Sequence, residues 1–137
     1  MELNNKNDQY PLTLGKVLIK NRQIKQAILC LQESIKLNPQ NEIAEVCLGN
    51  AFLLINRFED AKHHFQNAID LNINNTDGLL GLVDLNEHFS DLELAIKHCK
   101  LIFDSEPDNI KVILKLSNLY ERKGSFEEAL RYLEKAI

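Results

Sequence analysis

The sequence predicts an all-α protein, a right-handed α-solenoid built from antiparallel helix pairs. Three observations lead to this fold class. Alanine recurs at a constant spacing of 34 residues, at Ala27, Ala61, Ala95 and Ala129. Within each 34-residue stretch, apolar residues recur at i, i+3, i+4 and i+7, the spacing of one helix face and not of a strand. A polar turn lies about halfway through every stretch, so each one is predicted to hold two helices.

The repeat divides the 137-residue chain into four parts, at about residues 8–41, 42–75, 76–109 and 110–137, the last one truncated. We expect a single domain over 1–137, because one helix pair cannot bury its apolar face and must stack on its neighbours. The predicted pairs are 11–21 with 24–37, 42–55 with 58–71, 76–88 with 92–104, and 110–122 with 126–137.

Large and small residues alternate along the repeat in a way that fits crossing helices. Leucine or phenylalanine fills most large positions, whereas Gly15 and Gly49 stand where two helices would approach closely. The third repeat departs from the pattern, since Val83 replaces the small residue and Asn86 replaces an aromatic one. Gly78 and Gly81 also weaken its first helix. We therefore expect the third repeat to be the least regular.

The second repeat shows the full motif, with Leu48-Gly49, Phe52, Ala61, Phe65 and Ala68 at their typical spacing. This motif resembles the tetratricopeptide repeat family, and the resemblance covers residues 8 to 137. It implies a non-catalytic protein–protein interaction scaffold, whose first helices line a concave groove that binds a peptide or a partner segment.

The resemblance also implies which side chains would line that groove. The first half of the groove would be apolar, the third repeat acidic and the fourth basic. We therefore expect a bound peptide to offer an apolar anchor and a nearby basic residue. The predicted groove residues are Leu12, Ile43, Val46, Asn50, Leu53, Asp77, Leu80, Asp84, Glu87, Lys111, Lys115 and Asn118.

One known form of this groove, the carboxylate clamp that holds the C-terminal acid of chaperones, fits the sequence poorly. Asn50, Lys111 and Lys115 match the clamp pattern in repeats two to four. Val46 stands where the clamp requires lysine, and Gly81 stands where it requires asparagine. The sequence therefore predicts a groove without a carboxylate clamp.

Other functional classes find little support in the composition. The net charge is −4 and the basic residues are scattered, which argues against a nucleic-acid partner. No nucleotide-binding, hydrolase or metalloprotease motif occurs, so we expect no enzyme activity, catalytic residue or cofactor. We expect no metal site either, and we place three histidines on the solvent side of second helices: His63, His64 and His98.

The remaining expectations concern location and assembly. Three cysteines without disulfide or zinc spacing indicate a reducing, cytoplasmic compartment. No apolar run reaches the ~18 residues of a membrane span, so we expect no membrane insertion. The last repeat stops inside its second helix, which predicts a longer natural protein or a homo-oligomer formed through the uncapped C-terminal helix. Two alternatives to a peptide-binding scaffold stay open, an adaptor segment of a larger enzyme such as a glycosyltransferase, and a self-assembling scaffold.

Overall fold

The computed structural model describes residues 2–137, with side chains from Asn7 onward. Eight helices account for most of these residues, and no strand occurs among them. They are α1 Glu2–Lys20, α2 Ile24–Leu37, α3 Glu42–Leu54, α4 Phe58–Leu71, α5 Thr76–His88, α6 Leu92–Ser105, α7 Ile110–Lys123 and α8 Phe126–Lys135. Every helix after α1 begins at the residue that the repeat pattern predicted.

The start of α1 was predicted wrongly. The helix begins at Glu2 instead of residue 11, and it continues through Pro11. Proline lacks the N–H that a helix uses for its bond to the carbonyl four residues back, so it usually begins or bends a helix. Here the Ser34 hydroxyl of α2 donates to the carbonyl oxygen of Asp8 at 2.9 Å. A contact from a neighbouring helix therefore supports the turn before Pro11, and sequence periodicity does not report such contacts.

The chain forms two compact bodies, one ending at Gly81 and the other running from Leu82 to Ile137. The first body holds α1 to α4 and the beginning of α5, with α1 packed on α2, α2 on α3, and α3 on α4. The second body holds the rest of α5 with α6, α7 and α8, where α6 packs on α7 and α7 on α8. Three of the predicted helix pairs, α1 with α2, α3 with α4, and α7 with α8, are thus observed.

Close helix packing explains the glycines of the first body. Phe65 on α4 is fully buried. A Cβ atom added at Gly49 on α3 would lie 2.5 Å from the Phe65 ring, and one added at Gly81 on α5 would lie equally close. Gly81, which looked from sequence like a weak point of its helix, is therefore required by the close approach of the Phe65 ring.

An asparagine immediately precedes the first helix of three repeats, at the repeat spacing. The side-chain oxygens of Asn41, Asn75 and Asn109 accept the backbone N–H groups of residues 44, 78 and 112, at 3.0, 2.8 and 3.3 Å. Each asparagine satisfies an N–H group that the first turn of a helix leaves without an internal partner. These caps fix where α3, α5 and α7 start.

The same turns carry a second polar contact in the first body. Asp8 is fully buried, and its Oδ2 accepts the side-chain amides of Asn38 and Asn41 at 2.9 and 3.0 Å. One repeat later, Glu42 Oε1 accepts the side-chain amides of Asn72 and Asn75, both at 3.2 Å. An acid at the beginning of a repeat therefore bonds two asparagines in the turn that closes that repeat.

Candidate partner-binding surfaces

The predicted groove residues of the first body differ in their exposure. Ile43, Asn50 and Asp77 are exposed, and Leu53 and Leu80 are half-buried. Leu12 and Val46 are buried, at 3% and 7% exposure. A partner on this surface would therefore contact little of Leu12 or Val46, whose side chains belong to the core.

The predicted groove residues of the second body are linked by ion pairs. Asp84, Lys111 and Asn118 are exposed, whereas Glu87 and Lys115 are half-buried. Lys115 Nζ lies 2.7 Å from Glu87 Oε1 and 3.6 Å from Asp84 Oδ1. The other oxygen of Glu87, Oε2, lies 2.6 Å from Arg122 Nη1.

These pairs change the electrostatic expectation for the second body. The hydrogen bond from Lys115 to Glu87 is the main cause that raises the pKa of Lys115, and its burial acts in the opposite direction. Lys115 therefore stays charged, but its charge and that of Arg122 are matched by Glu87 and Asp84. This cluster of paired side chains therefore offers neither an acidic patch for a basic partner nor an unpaired lysine for a partner's carboxylate.

Two rows of first-helix positions are exposed in every repeat. The positions share the repeat spacing, and none of their side chains has a place in the core. The first row consists of Gln9, Ile43, Asp77 and Lys111, and the second of Lys16, Asn50, Asp84 and Asn118. Since packing does not constrain these residues, they are the positions where sequence can serve recognition.

The prediction for the histidines was wrong at two of three positions. His63 is exposed, as expected, but His64 and His98 are half-buried and contact first helices. His64 Nδ1 lies 2.7 Å from the buried carboxylate of Glu45, and its ring stacks on Phe52 at 5.4 Å between centroids. These contacts tie the two helices of the repeat together, which is a structural role.

His98 holds the same place in the third repeat. Asn86 Nδ2 donates to His98 Nδ1 at 2.9 Å, which requires an unprotonated Nδ1. Burial is the main cause that lowers the pKa of His98, and Lys97 lowers it further, while Asp91 opposes the shift. The folded protein therefore favours the neutral ring.

We expect the stability of the protein to fall as the pH drops below the usual histidine pKa of 6.5. Because the folded state holds the pKa of His98 below that value, the unfolded chain binds the proton more readily. The stability that His98 contributes is fully present above pH 6.5 and is lost as the pH falls through its lowered pKa. Thermal unfolding midpoints measured by circular dichroism between about pH 7 and 5 should fall less steeply for His98→Gln. Equal slopes for both proteins would contradict this assignment.

A metal ion requires a grouping of ligand side chains, and the reactivity of the buried thiol follows from its surroundings. From Asn7 to Ile137, no group of three or more His, Cys, Asp or Glu side chains could hold a metal ion. Cys99 is buried, and burial raises the pKa of its thiol to about 12, which suppresses the reactive thiolate. Over the same range, the helices are too short or too polar to cross a membrane.

Comparison with known families assigns the chain. One tetratricopeptide repeat model matches residues 12–41 and 110–137, and a second matches residues 48–109. Together the matched ranges cover most of the sequence, so the chain belongs to the tetratricopeptide repeat family. The predicted fold class, an all-α solenoid of helix pairs, is confirmed.

The similar proteins differ in length. Anaphase-promoting complex subunit 3 of Schizosaccharomyces pombe is 25% identical over 115 residues, which are 84% of this chain and 17% of that protein. The chain thus spans about a sixth of this curated relative. A crystal structure of MamA is 27% identical with a TM-score of 0.86, covering 95% of this chain and 76% of that one.

A third similar protein shows the fold alone. The first tetratricopeptide repeat domain of Spaghetti (RPAP3), solved with the HSP90 peptide SRMEEVD, has a TM-score of 0.81 and 19% identity. The match covers 88% of this chain and 98% of that one. The likeness is one of helix arrangement, because identity at this level does not extend to the residues of a binding site.

Proposed function

We propose that this chain is a non-catalytic protein-interaction scaffold, which binds a peptide or a partner segment along the exposed rows of its first helices. The observation that carries the proposal is the pair of rows that stay exposed in all four repeats. Membership of the tetratricopeptide repeat family supports a binding role in general. The RPAP3 domain, which has the same fold, was solved with a bound peptide.

The first body offers the apolar and acidic contacts for such a partner. Ile43 is 51% exposed, and Leu53 and Leu80 each leave part of their side chains accessible. Burial of such surface contributes about 25 cal/mol per Å². Asp77 is exposed and has no ion pair among the described residues, whereas Asp84 is paired with Lys115. We therefore assign the preference for a basic residue in the partner to Asp77.

On its own rows, the second body offers a hydrogen-bonding asparagine and one exposed lysine. Asn118 of the second row is exposed and can hydrogen-bond to a peptide backbone. Lys111 of the first row is exposed too. Lys115 is held by Glu87 and Asp84, so a partner carboxylate would have to displace two carboxylates to reach it. This pairing supports a site other than a carboxylate clamp.

The test uses a partner isolated by cross-linking and two variants of the first body. Ile43→Asp is expected to weaken binding about tenfold or more at any salt concentration, because it places a charge on an apolar contact. Asp77→Lys is expected to weaken binding mainly at low salt, since exposed charges are screened over about 8–10 Å near physiological ionic strength. Isothermal titration calorimetry measures both affinities.

The matched control is Ile73→Asp, which changes an isoleucine that is 59% exposed in the turn after α4. It should leave the affinity unchanged. Val46→Asp is unsuitable as a probe, because Val46 is buried and its replacement would damage the core. If Ile43→Asp and Asp77→Lys both fold and bind like the original protein, the first-helix rows are not the binding surface.

A further inference from the structure

A second surface of the first body lies at the turns that join α1 to α2 and α3 to α4. Three depressions of about 380, 410 and 580 Å³ lie there, and they share lining residues, so they form one continuous surface. We call it the turn-edge surface. Its apolar lining is Ile19, Ile24, Ile28, Leu54 and Ile55, and its cationic rim is Lys20, Arg22 and Lys25.

The cationic rim has no partner of opposite charge among the described residues. Lys20, Arg22 and Lys25 are exposed, and none of them forms an ion pair with a described residue. By contrast, Arg57 at the edge of the same surface lies 2.7 Å from Asp60 and also covers the ring of Phe52. These three cations, unpaired within the part of the chain that the structure describes, stand on a chain whose net charge is −4.

Arg22 stands in a backbone conformation that arginine disfavours. One residue of the turn after each first helix is left-handed, at the 34-residue spacing of the repeat, with φ of 63° at Arg22, 59° at Asn56, 60° at Ser90 and 84° at Gly124. Glycine and asparagine adopt this conformation readily, whereas longer side chains adopt it at a cost. The first repeat thus places a long cationic side chain where local stability favours glycine.

Lys25 is also locally unfavourable. It lies in the first turn of α2, which contains no acidic residue. The equivalent positions of the other repeats are Glu59, Glu93 and Glu127, each in the first turn of its helix. Negative charge is favoured at a helix N-terminus and positive charge is not. Two residues of the rim therefore contradict local preference and both add positive charge to one surface, as is typical of functional sites.

We propose that the turn-edge surface binds an acidic peptide segment, with one aliphatic or aromatic side chain in a depression and its carboxylates against Lys20, Arg22 and Lys25. The apolar lining favours a peptide over RNA or DNA, whose backbone would gain little from it. The depressions also suit side chains of a peptide better than the flat surface of a lipid bilayer. This site is separate from the first-helix rows.

The probes are short fluorescein-labelled peptides with a central leucine flanked by glutamate, by serine or by lysine. The original protein should bind the glutamate peptide most tightly in fluorescence anisotropy. Arg22→Gly and Lys25→Glu should each weaken that binding about three- to tenfold at low ionic strength, in line with a few exposed charge contacts. Both variants should also raise the midpoint of thermal unfolding, because each restores the local preference.

Weaker binding by a more stable variant cannot result from unfolding. Ser90→Gly provides the control, since it changes the equivalent backbone position in the second body and should raise the midpoint without changing peptide affinity. The proposal is wrong if the glutamate and serine peptides bind equally, or if both rim variants retain full affinity. Binding to anionic phosphatidylserine vesicles without discrimination among the peptides would assign the surface to a membrane and would likewise overturn it.

Discussion

Replacing Phe65 with alanine is expected to lower the free energy of unfolding by about 3–5 kcal/mol. The ring is fully buried on α4, and the glycines of two other helices, Gly49 and Gly81, leave the space that it fills. Removing the ring leaves a cavity that these backbones cannot close without shifting. Urea unfolding followed by far-ultraviolet circular dichroism, which reports the helix content, measures the loss.

The same site allows a test of the close approach itself. In the original protein, Gly49→Ala and Gly81→Ala should each cost about 1–3 kcal/mol, because the new Cβ atom would overlap the Phe65 ring. In the Phe65→Ala background, each glycine substitution should become neutral or stabilising, because alanine favours a helix by about 1 kcal/mol over glycine. Additive effects would show that the ring does not explain the glycines.

Replacing Asp8 with alanine is expected to cost about 1–3 kcal/mol, because it leaves two asparagine amides without their acceptor. Asn41 is buried and Asn38 is half-buried, so water does not freely replace the carboxylate. Removal of a buried charge offsets part of this loss. Thermal and urea unfolding of the variant measure the net change in the free energy of unfolding.

Two variants complete the Asp8 experiment. Asp8→Asn keeps an oxygen acceptor at the same place and should lose less stability than Asp8→Ala. Glu42→Ala removes the equivalent acid of the second repeat, whose bond to Asn72 is exposed, and should cost less than about 1 kcal/mol. A Glu42→Ala effect as large as that of Asp8→Ala would show that burial does not set the strength of this contact.

The sequence was sufficient to predict most of the helices, because packing of small against large residues at a constant period leaves little freedom for their placement. Seven helix starts follow from the columns of Ala27, Ala61, Ala95 and Ala129. The start of α1 could not be predicted in this way. Residues 2–7 lie before the first repeat, so no column covers them, and the bond from Ser34 to the backbone of Asp8 joins two residues that no local pattern connects.

The candidate site was less predictable than the fold. Family resemblance selects positions, but burial of Leu12 and Val46 depends on how far the adjacent helices approach. The pairing of Lys115 with Glu87 depends on side-chain conformations in space, which a list of charges does not contain. The charges of Glu87 and Lys115, taken separately, suggested an acidic and a basic zone. In the structure the two residues form an ion pair without net charge.

A signal for the histidine contacts was present but unused. Twelve residues separate the two members of three ring or amide pairs, Phe52 with His64, Asn86 with His98, and Tyr120 with Tyr132. Each pair occupies the same two positions of its repeat. Reading both columns together would have placed His64 and His98 against their first helices and not toward solvent.

The contact between Asp8 and Asn38 with Asn41 bears on how genes for such proteins grow. Glu42 with Asn72 and Asn75 repeats the contact 34 residues later, so in the first two repeats the acid and the asparagines recur at a fixed offset. A tandem duplication that copies a whole repeat with its closing turn delivers both halves together. A recombination breakpoint inside the repeat separates the acid from the asparagines and leaves their side-chain amides without an acceptor. Viable crossovers in this gene should therefore cluster just after the closing turns, outside the helix pairs.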